Sequence, residues 1–410
     1  MQTGAGGVMV NKDLMTASFW TQPPAVRDEL FAELRAADGP VFCPREGTVG
    51  FYALTRHADV VEAARNPGAF SSEPSAVRLD DLPAGTEKYG GSMESMDDPR
   101  HARLRRIISG SFTPRILARF EADIQERVTR LVDGLADRRE SDFVETVSTP
   151  LTVGTAFSMM GIPASAGQEL MAAVNIVLAI SDSGNLDFPS PEAREAFIKE
   201  KFAVMHGFVA DLAEVRRKRP AEDLISVLVT ANLDGEFLTD LELGRFFTLL
   251  VAAGVETTRH ALSHGVHLLT QNPAQRALLL GALPTAVDEI VRCATPVAWV
   301  RRNVTRDHVL HGYTYRRGDR VLLYHCSANQ DEGVFRNPRA FDVTRSPNPH
   351  VGYGGGGPHI CLGAHLARRQ MTTLFNELYT RFPGFHTTDQ PTWVKASLVN
   401  GIERLPCAIE

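Results

Sequence analysis

No stretch of this 410-residue chain is apolar for long enough to cross a bilayer. The longest such tract, around Leu249 to Val255, falls well short of the about 18 to 20 residues that a spanning helix needs. Cysteine is scarce and irregular. The five thiols (Cys43, Cys293, Cys326, Cys361 and Cys407) are odd in number and share no spacing, which excludes a disulfide framework and reads as reduced cysteine. Positive charge is not in excess either, and a net charge of −6 argues against a dedicated nucleic-acid binder. The opening Met1-Gln-Thr-Gly-Ala-Gly-Gly7 has neither the charged nor the apolar part of a secretory leader. These absences lead to the expectation of a soluble, cytoplasmic, reduced protein with no membrane and no nucleic-acid partner.

What is present is mostly helical pattern. Apolar positions Val26, Leu30, Phe31 and Leu34 predict a helix over Ala25–Ala36, and a second is expected over Ala58–Ala64, before Asn66-Pro-Gly68. Strand-like runs lie near Phe42 and at Gly50–Leu54. Residues 71–95, rich in Gly, Pro, Ser and Asp, read as a long loop of functional type. Residues 99–280 read almost wholly as helices, with breaks at Phe112–Arg115, Gly161–Pro163, Ser181–Pro191 and Arg219-Pro220. Short alternating strands follow from Val300 to Tyr324. The tail from Trp393 to Ile409 reads as strands joined by Asn400-Gly401, a good hairpin turn. No repeat or linker divides the chain, so a single mainly α domain with small β-sheets is expected over residues 1–410, with residues 1–15 as a flexible N-terminal segment.

The segment His350-Val-Gly-Tyr-Gly-Gly-Gly-Gly-Pro-His-Ile-Cys361-Leu-Gly363 carries the strongest chemical signal. One cysteine follows a run of glycines and precedes a well-patterned helix. A thiolate wrapped by backbone without side chains suits the axial ligation of a haem iron. Three plainer readings compete. Gly352-Tyr-Gly-Gly-Gly-Gly357 matches the dinucleotide fingerprint, but that belongs between a strand and a helix, and here it follows Ser346-Pro-Asn-Pro349. A zinc site on His359, Cys361 and His365 lacks a second cysteine nearby. A flexible loop holding a structural thiol is the third.

Four further segments bear on the choice. Glu289-Ile-Val-Arg292 puts a carboxylate and a guanidinium on one helical face, commonly a solvated pair. Ala253-Gly-Val-Glu-Thr257-Thr258 places an acid and a hydroxyl inside a very apolar helix, costly unless paired or useful. Gly254 leaves room there for something to approach the helix. His101 and Arg105, at i and i+4, can point together at one anion, although a solvated basic face is the plainer reading. Arg302 and Arg345 are unremarkable singly.

Together, and in this order along nearly the whole chain, these segments resemble the cytochrome P-450 family. The resemblance implies a single helical prism-shaped domain with small β-sheets. It implies that Cys361 is the axial ligand of a haem b (iron protoporphyrin IX), with Gly355, Gly357 and Gly363 letting the loop backbone approach haem and sulfur. His101, Arg105, Arg302, His350 and His359 then correspond to residues that bind the haem propionates. Glu289, Arg292 and Arg345 correspond to the family's structural triad. Glu256 and Thr257 correspond to its catalytic acid–alcohol pair, which supplies protons during oxygen activation. In one respect the chain departs from the usual pattern: Tyr353 lies one residue earlier than the aromatic that commonly begins the loop, and Gly354 stands in that place. The acid is also Glu where Asp is commoner.

The resemblance further implies a monooxygenase using O2, with electrons from NAD(P)H through an external ferredoxin or flavodoxin-like donor and its reductase. Arg103, Arg106, Arg115, Arg368 and Arg369 are candidates for the docking patch. Substrate contacts are expected from residues 71–95, 174–186, 248–256, 297–299 and 398–399, with Ala252, Ala253, Val297, Trp299, Leu398 and Val399 as pocket residues. Their apolar character points to a hydrophobic substrate, in sterol, terpenoid or lipid oxidation or in secondary metabolite biosynthesis, handled by a monomer. A peroxide-driven member of the family and a non-catalytic haem-binding protein are the alternatives.

Overall fold

The apolar periodicity of residues 240–271 produces the helix on which the rest is built. Thr239 and Glu242 form a reciprocal capping box at its start, satisfying two of the free amides of the first turn. The helix runs from Asp240 to Val251, loosens into one π-helical turn over Ala252–Glu256, and continues from Thr257 to Gln271. Its first half packs Phe246, Phe247, Val251 and Val255 into one hydrophobic cluster with Met160, Leu212 and Leu228. Its second half puts Ala261, Leu262, Val266 and Leu269 into another with Ile290, Leu374 and Phe375. In this computed structural model the residues described are 8–9, 14–45, 49–81, 92–112, 116, 118–138, 140–163, 170, 189–232 and 235–410.

The chain is 53% helical with small sheets, the mainly α class expected. Helices at Pro24–Ala36 and His57–Arg65 match the patterned segments to within a residue at each end. The largest sheet draws on both ends of the sequence. Phe51–Leu54 pairs in parallel with Arg320–Tyr324, which pairs antiparallel with Trp299–Val304. Val8–Met9 pairs with Val41-Phe42 at one edge, and Leu14 is fully buried. Of the segment 1–15 expected to be flexible, residues 1–7 and 10–13 lie outside the described residues.

The tail differs from a tight hairpin. Thr392-Trp393 pairs with Ile402–Arg404, so the connection spans residues 394–401. Asn400-Gly401 serves packing instead: Asn400 Nδ2 donates to Ala294 O (2.6 Å), and a Cβ on Gly401 would lie 2.6 Å from the His260 ring.

Candidate active site

Two elements face each other across a cavity of about 320 Å³. One is the loop ending in Cys361-Leu-Gly363, which feeds the helix Ala364–Arg381. That helix buries Gln370, Met371, Leu374, Phe375, Leu378 and Tyr379 at helical spacing, which fixes its N-terminus beneath the cavity. The other is the π-helical turn of the central helix, a departure that recurs at functional sites. Leu249, Leu250, Ala253, Gly254 and Thr257 present one face to the cavity, and a Cβ on Gly254 would meet nothing within 4 Å. The room read from Gly254 in the sequence is therefore there.

The Cys361 amide donates to Tyr353 O (2.9 Å), closing the loop on itself. Burial pushes the Cys361 thiol up, while the Gly363 amide, Arg105, Arg368 and the Ala364 amide pull it back towards the thiolate. Amides at a helix start and two guanidiniums are the surroundings that a metal-binding thiolate uses. Gly363 lines the cavity. Gly355, which also lines it, and Gly357 serve chiefly another contact. A Cβ on Gly357, whose φ is +73°, would fall 2.3 Å from Ala64 O, and one on Gly355 would fall 3.0 Å from Ala64 Cβ. They let the loop lie against the helix His57–Arg65.

A basic cluster closes one end. His101, Arg105, Arg302 and His359 all line the cavity, with the His101 and His359 rings 4.2 Å apart. Arg105 Nη2 also donates to Ile360 O (2.6 Å), tying its helix to the cysteine loop. Burial lowers His101, and burial with Arg302 nearby lowers His359 to about 3. Burial likewise brings Arg302 down to about 10, with Asp97 opposing. Among the described residues, His101 Nε2 is buried without a hydrogen-bond partner. Buried donors that depress one another, with one nitrogen orphaned, need an anion. A flat iron porphyrin with two carboxylates fits these residues: a thiolate on one wall, small residues opposite, and cationic donors at the edge.

His350 is not part of this cluster. Its Nδ1 accepts from the Gly352 amide (3.1 Å), and its Nε2 lies 3.6 Å from Asp288 Oδ1. It braces the outer side of the loop with Arg368, whose guanidinium stacks 4.3 Å from the Tyr353 ring centre. Tyr353 thus keeps an aromatic beside Cys361 despite its shifted place in the sequence.

The acid and the alcohol do not touch. Thr257 Oγ1 donates to Ala253 O (2.7 Å) at the cavity face. Glu256, one position round the helix, is buried and accepts from Arg259 Nη2 (2.9 Å). Burial raises the Glu256 carboxyl and Arg259 holds it down, which leaves a group suited to holding or releasing a proton. The sequence gives no sign that Arg259 holds this acid, because an arginine one turn along an apolar helix carries no signal of its own.

Glu289 and Arg292 are not a solvated pair. Arg292 Nε and Nη2 each donate to the Glu289 carboxylate at 2.7 Å, and both residues are fully buried. Arg345 Nε adds bonds of 3.0 and 3.1 Å, and Arg292 Nη1 donates to Asn329 O and Pro338 O.

Among the expected pocket residues, Ala253 and Val297 line the cavity. Ala252, Trp299, Leu398 and Val399 do not, and each has a geometric reason. Ala252 is rotated about 100° from Ala253 around the helix axis. In the strand Trp299–Val304, Val300 and Arg302 take the cavity face, so alternation sends Trp299 to the opposite core with Leu14 and Trp20. Leu398 packs against that same core, and Val399 is held against Val394 and Ala396. Residues 174–186 lie outside the described residues. Ala76, Val77 and Met93 represent the 71–95 loop in the wall.

The arginine patch is weaker than the sequence suggested. Arg103 pairs with Glu236 and Glu242, Arg368 with Asp288 and Arg369 with Glu121. Arg106 is exposed, and Arg115 lies outside the described residues. Among the described residues no helix is long and apolar enough to cross a membrane.

The chain is similar to known proteins in sequence and in fold. The sequence profile of the family Cytochrome P450 matches residues 13–280 and 279–399. A methyl-branched lipid omega-hydroxylase of Mycobacterium tuberculosis is 41% identical over 409 residues, covering 96% of this chain and 94% of the relative. A steroid C26-monooxygenase of the same species is 37% identical over 386 residues, covering 91% and 87%. A Mycobacterium marinum cytochrome P450 in complex with pseudoionone superposes with a TM-score of 0.90 at 37% identity, over 99% of this chain and 100% of that one. The profile match along most of the chain, with relatives of 37% to 41% identity covered over most of their length, leaves one assignment: the chain belongs to the cytochrome P450 family, whose members are haem-thiolate monooxygenases of hydrophobic molecules.

Proposed function

We propose that this monooxygenase hydroxylates an aliphatic position, at or near a chain end, of a methyl-branched lipid or sterol-like molecule. The observation that carries the reading is the wall of the cavity opposite Cys361, where Phe112, Met159, Met160, Leu249, Leu250 and Val297 offer an almost wholly apolar surface. Such a surface gains about 25 cal/mol for each Å² of apolar substrate it covers. The higher identity of the lipid- and steroid-oxidising relatives favours this over secondary-metabolite tailoring.

Haem b would be held by Cys361, with His101, Arg105, Arg302 and His359 as partners for its carboxylates, and would supply oxygen activation. In balance, substrate C–H, O2, two electrons and two protons give C–OH and water. The protein's share is to hold and move those protons. Thr257 Oγ1, which donates to Ala253 O, can turn its hydrogen into the cavity, and Glu256 behind it can replace a proton that Thr257 passes on. Electrons come from NAD(P)H through a ferredoxin or flavodoxin-like donor and its reductase, docking on the face near Arg106. The chain acts as one domain, a cytoplasmic monomer.

The test is reconstitution with a ferredoxin, its reductase and NADPH on 15-methylhexadecan-1-ol, with products read by mass spectrometry. Oxidation at the branched end is expected. Product with peroxide but none with the electron chain would make this a peroxide-driven enzyme instead. The reduced carbon-monoxide difference spectrum checks the ligand: wild type should show the red-shifted thiolate band and Cys361→Ala should lack it.

A further inference from the structure

A carboxyl group is built into the apolar wall, and neither the acid–alcohol pair nor the basic cluster uses it. Glu94 belongs to a single helical turn, Met93–Ser95, which precedes the helix Arg100–Ser109. It lines the cavity, and Met93 beside it packs in the cluster that holds Phe246 and Met160. Glu94 Oε1 is engaged: Ser92 Oγ donates to it at 2.6 Å and Ser95 Oγ at 3.3 Å. Ser95 is itself fixed, since its Oγ accepts from the Ala76 amide (3.1 Å). Glu94 Oε2 is buried and has no hydrogen-bond partner among the described residues.

Two other lining residues carry an unpartnered oxygen, Tyr353 and Gln370. Both belong to the cysteine loop and the helix that follows it, so they flank the haem side. Glu94 stands apart from them, among the residues of the substrate wall. An unpartnered buried oxygen costs about 1–3 kcal/mol, a cost that is recovered when a ligand supplies the missing bond. The two serines hold the carboxyl in one orientation beforehand, so a ligand need not order it.

From this geometry we infer that Glu94 anchors the substrate, and that the substrate is an apolar molecule carrying a neutral oxygen function, a hydroxyl or a ketone. This rests on the monooxygenase reading above and names the chemistry of its substrate. Burial raises the Glu94 carboxyl, with no cation among the groups acting on it. An uncharged carboxyl is both donor and acceptor, so it pairs with a hydroxyl or with a carbonyl. A hydrocarbon leaves Oε2 unpaired, and a cation calls for the ionised form that burial disfavours.

The experiment is a spin-state titration of the haem-loaded protein with four probes of one chain length: 1-dodecanol, 2-dodecanone, dodecane and dodecyltrimethylammonium. Wild type should bind the alcohol and the ketone about 3- to 10-fold more tightly than dodecane, the worth of one hydrogen bond. Glu94→Leu should erase that preference, and Glu94→Gln, which keeps a donor and an acceptor, should retain most of it. Equal affinities in wild type, a preference that survives in Glu94→Leu, or tightest binding of the ammonium would each overturn the assignment. If Glu94→Leu fails to fold, Glu94→Met takes its place: loss of the preference for both oxygen probes supports the anchor, and a preference unchanged from wild type overturns it. The carbon-monoxide band, recorded on the same samples, separates the two levels. A wild type without the thiolate band defeats the monooxygenase reading, and one with the band but no alcohol preference defeats only the anchor.

Discussion

Single residues at the centre of this molecule are set by one-position differences around a helix. Thr257 meets the cavity, and Glu256 turns beneath Arg259. The pair works only if a proton travels from the buried carboxyl to the hydroxyl, since the two side chains are not bonded to each other. Thr257→Ala should leave NADPH consumption near wild type while product per NADPH falls several-fold. Glu256→Gln should slow turnover itself, by about 100-fold, the lower end of what a positioned acid contributes. Parallel assays of NADPH oxidation, peroxide release and product decide this, and full coupling in both variants would remove the relay. The sequence made the residue types at these positions legible, because an acid and a hydroxyl in an apolar helix demand a use. It could not show Arg259 holding the acid, since a partner at i+3 on the buried side looks like any surface arginine.

Elements were read well where local pattern decides them and less well where a neighbouring element does. The helices Pro24–Ala36 and His57–Arg65 follow from apolar spacing alone. The glycines of the cysteine loop were expected to face haem, yet Gly357 is demanded by Ala64 O on a helix some three hundred positions earlier. Trp299 was misplaced by the parity of one strand, and Asn400-Gly401 by a histidine from another helix. Glu289–Arg292–Arg345 shows the same dependence on context at larger cost. Spacing alone describes a surface pair, but both Glu289 and Arg292 are fully buried and their helix is locked to the segment 329–345. Removing the shared carboxylate strands two guanidiniums. Glu289→Gln should therefore destabilise the protein by about 3–5 kcal/mol and lower the haem-to-protein ratio of the purified material. A variant with wild-type unfolding midpoint and full haem content would show that the triad is dispensable.

Across the whole molecule, acid should act through the buried histidines, two of which lie between the helix Thr257–Gln271 and the chain segment that covers it. The Ile402 amide donates to His260 Nδ1 (3.2 Å), and His264 Nε2 lies 3.1 Å from Asn400 O. Both rings are buried, and both are held neutral. Burial lowers His264 to about 3; His260 goes well below its ordinary 6.5, through burial with Arg259 and His264 adding to it. His267 and Arg27 also face His264 and act in the same direction, while the bond to Asn400 O opposes them. The unfolded chain binds protons at these rings near pH 6.5 and the folded chain refuses them. Their contribution to stability is thus complete above pH 6.5 and is lost as pH falls from there towards 3. The slope reaches about 1.4 kcal/mol per pH unit for each histidine. Between pH 6.5 and 5 the exposed carboxylates stay ionised, and the raised carboxyls of Glu94 and Glu256 act in the opposite sense, so a fall in stability across that interval reports the histidines. The thermal midpoint should drop measurably across it, and because His325 and His359 are also held neutral by burial, His264→Gln, which can still donate towards Asn400 O, should flatten the fall by up to about a quarter. Equal slopes in wild type and variant would place the acid sensitivity elsewhere in the molecule.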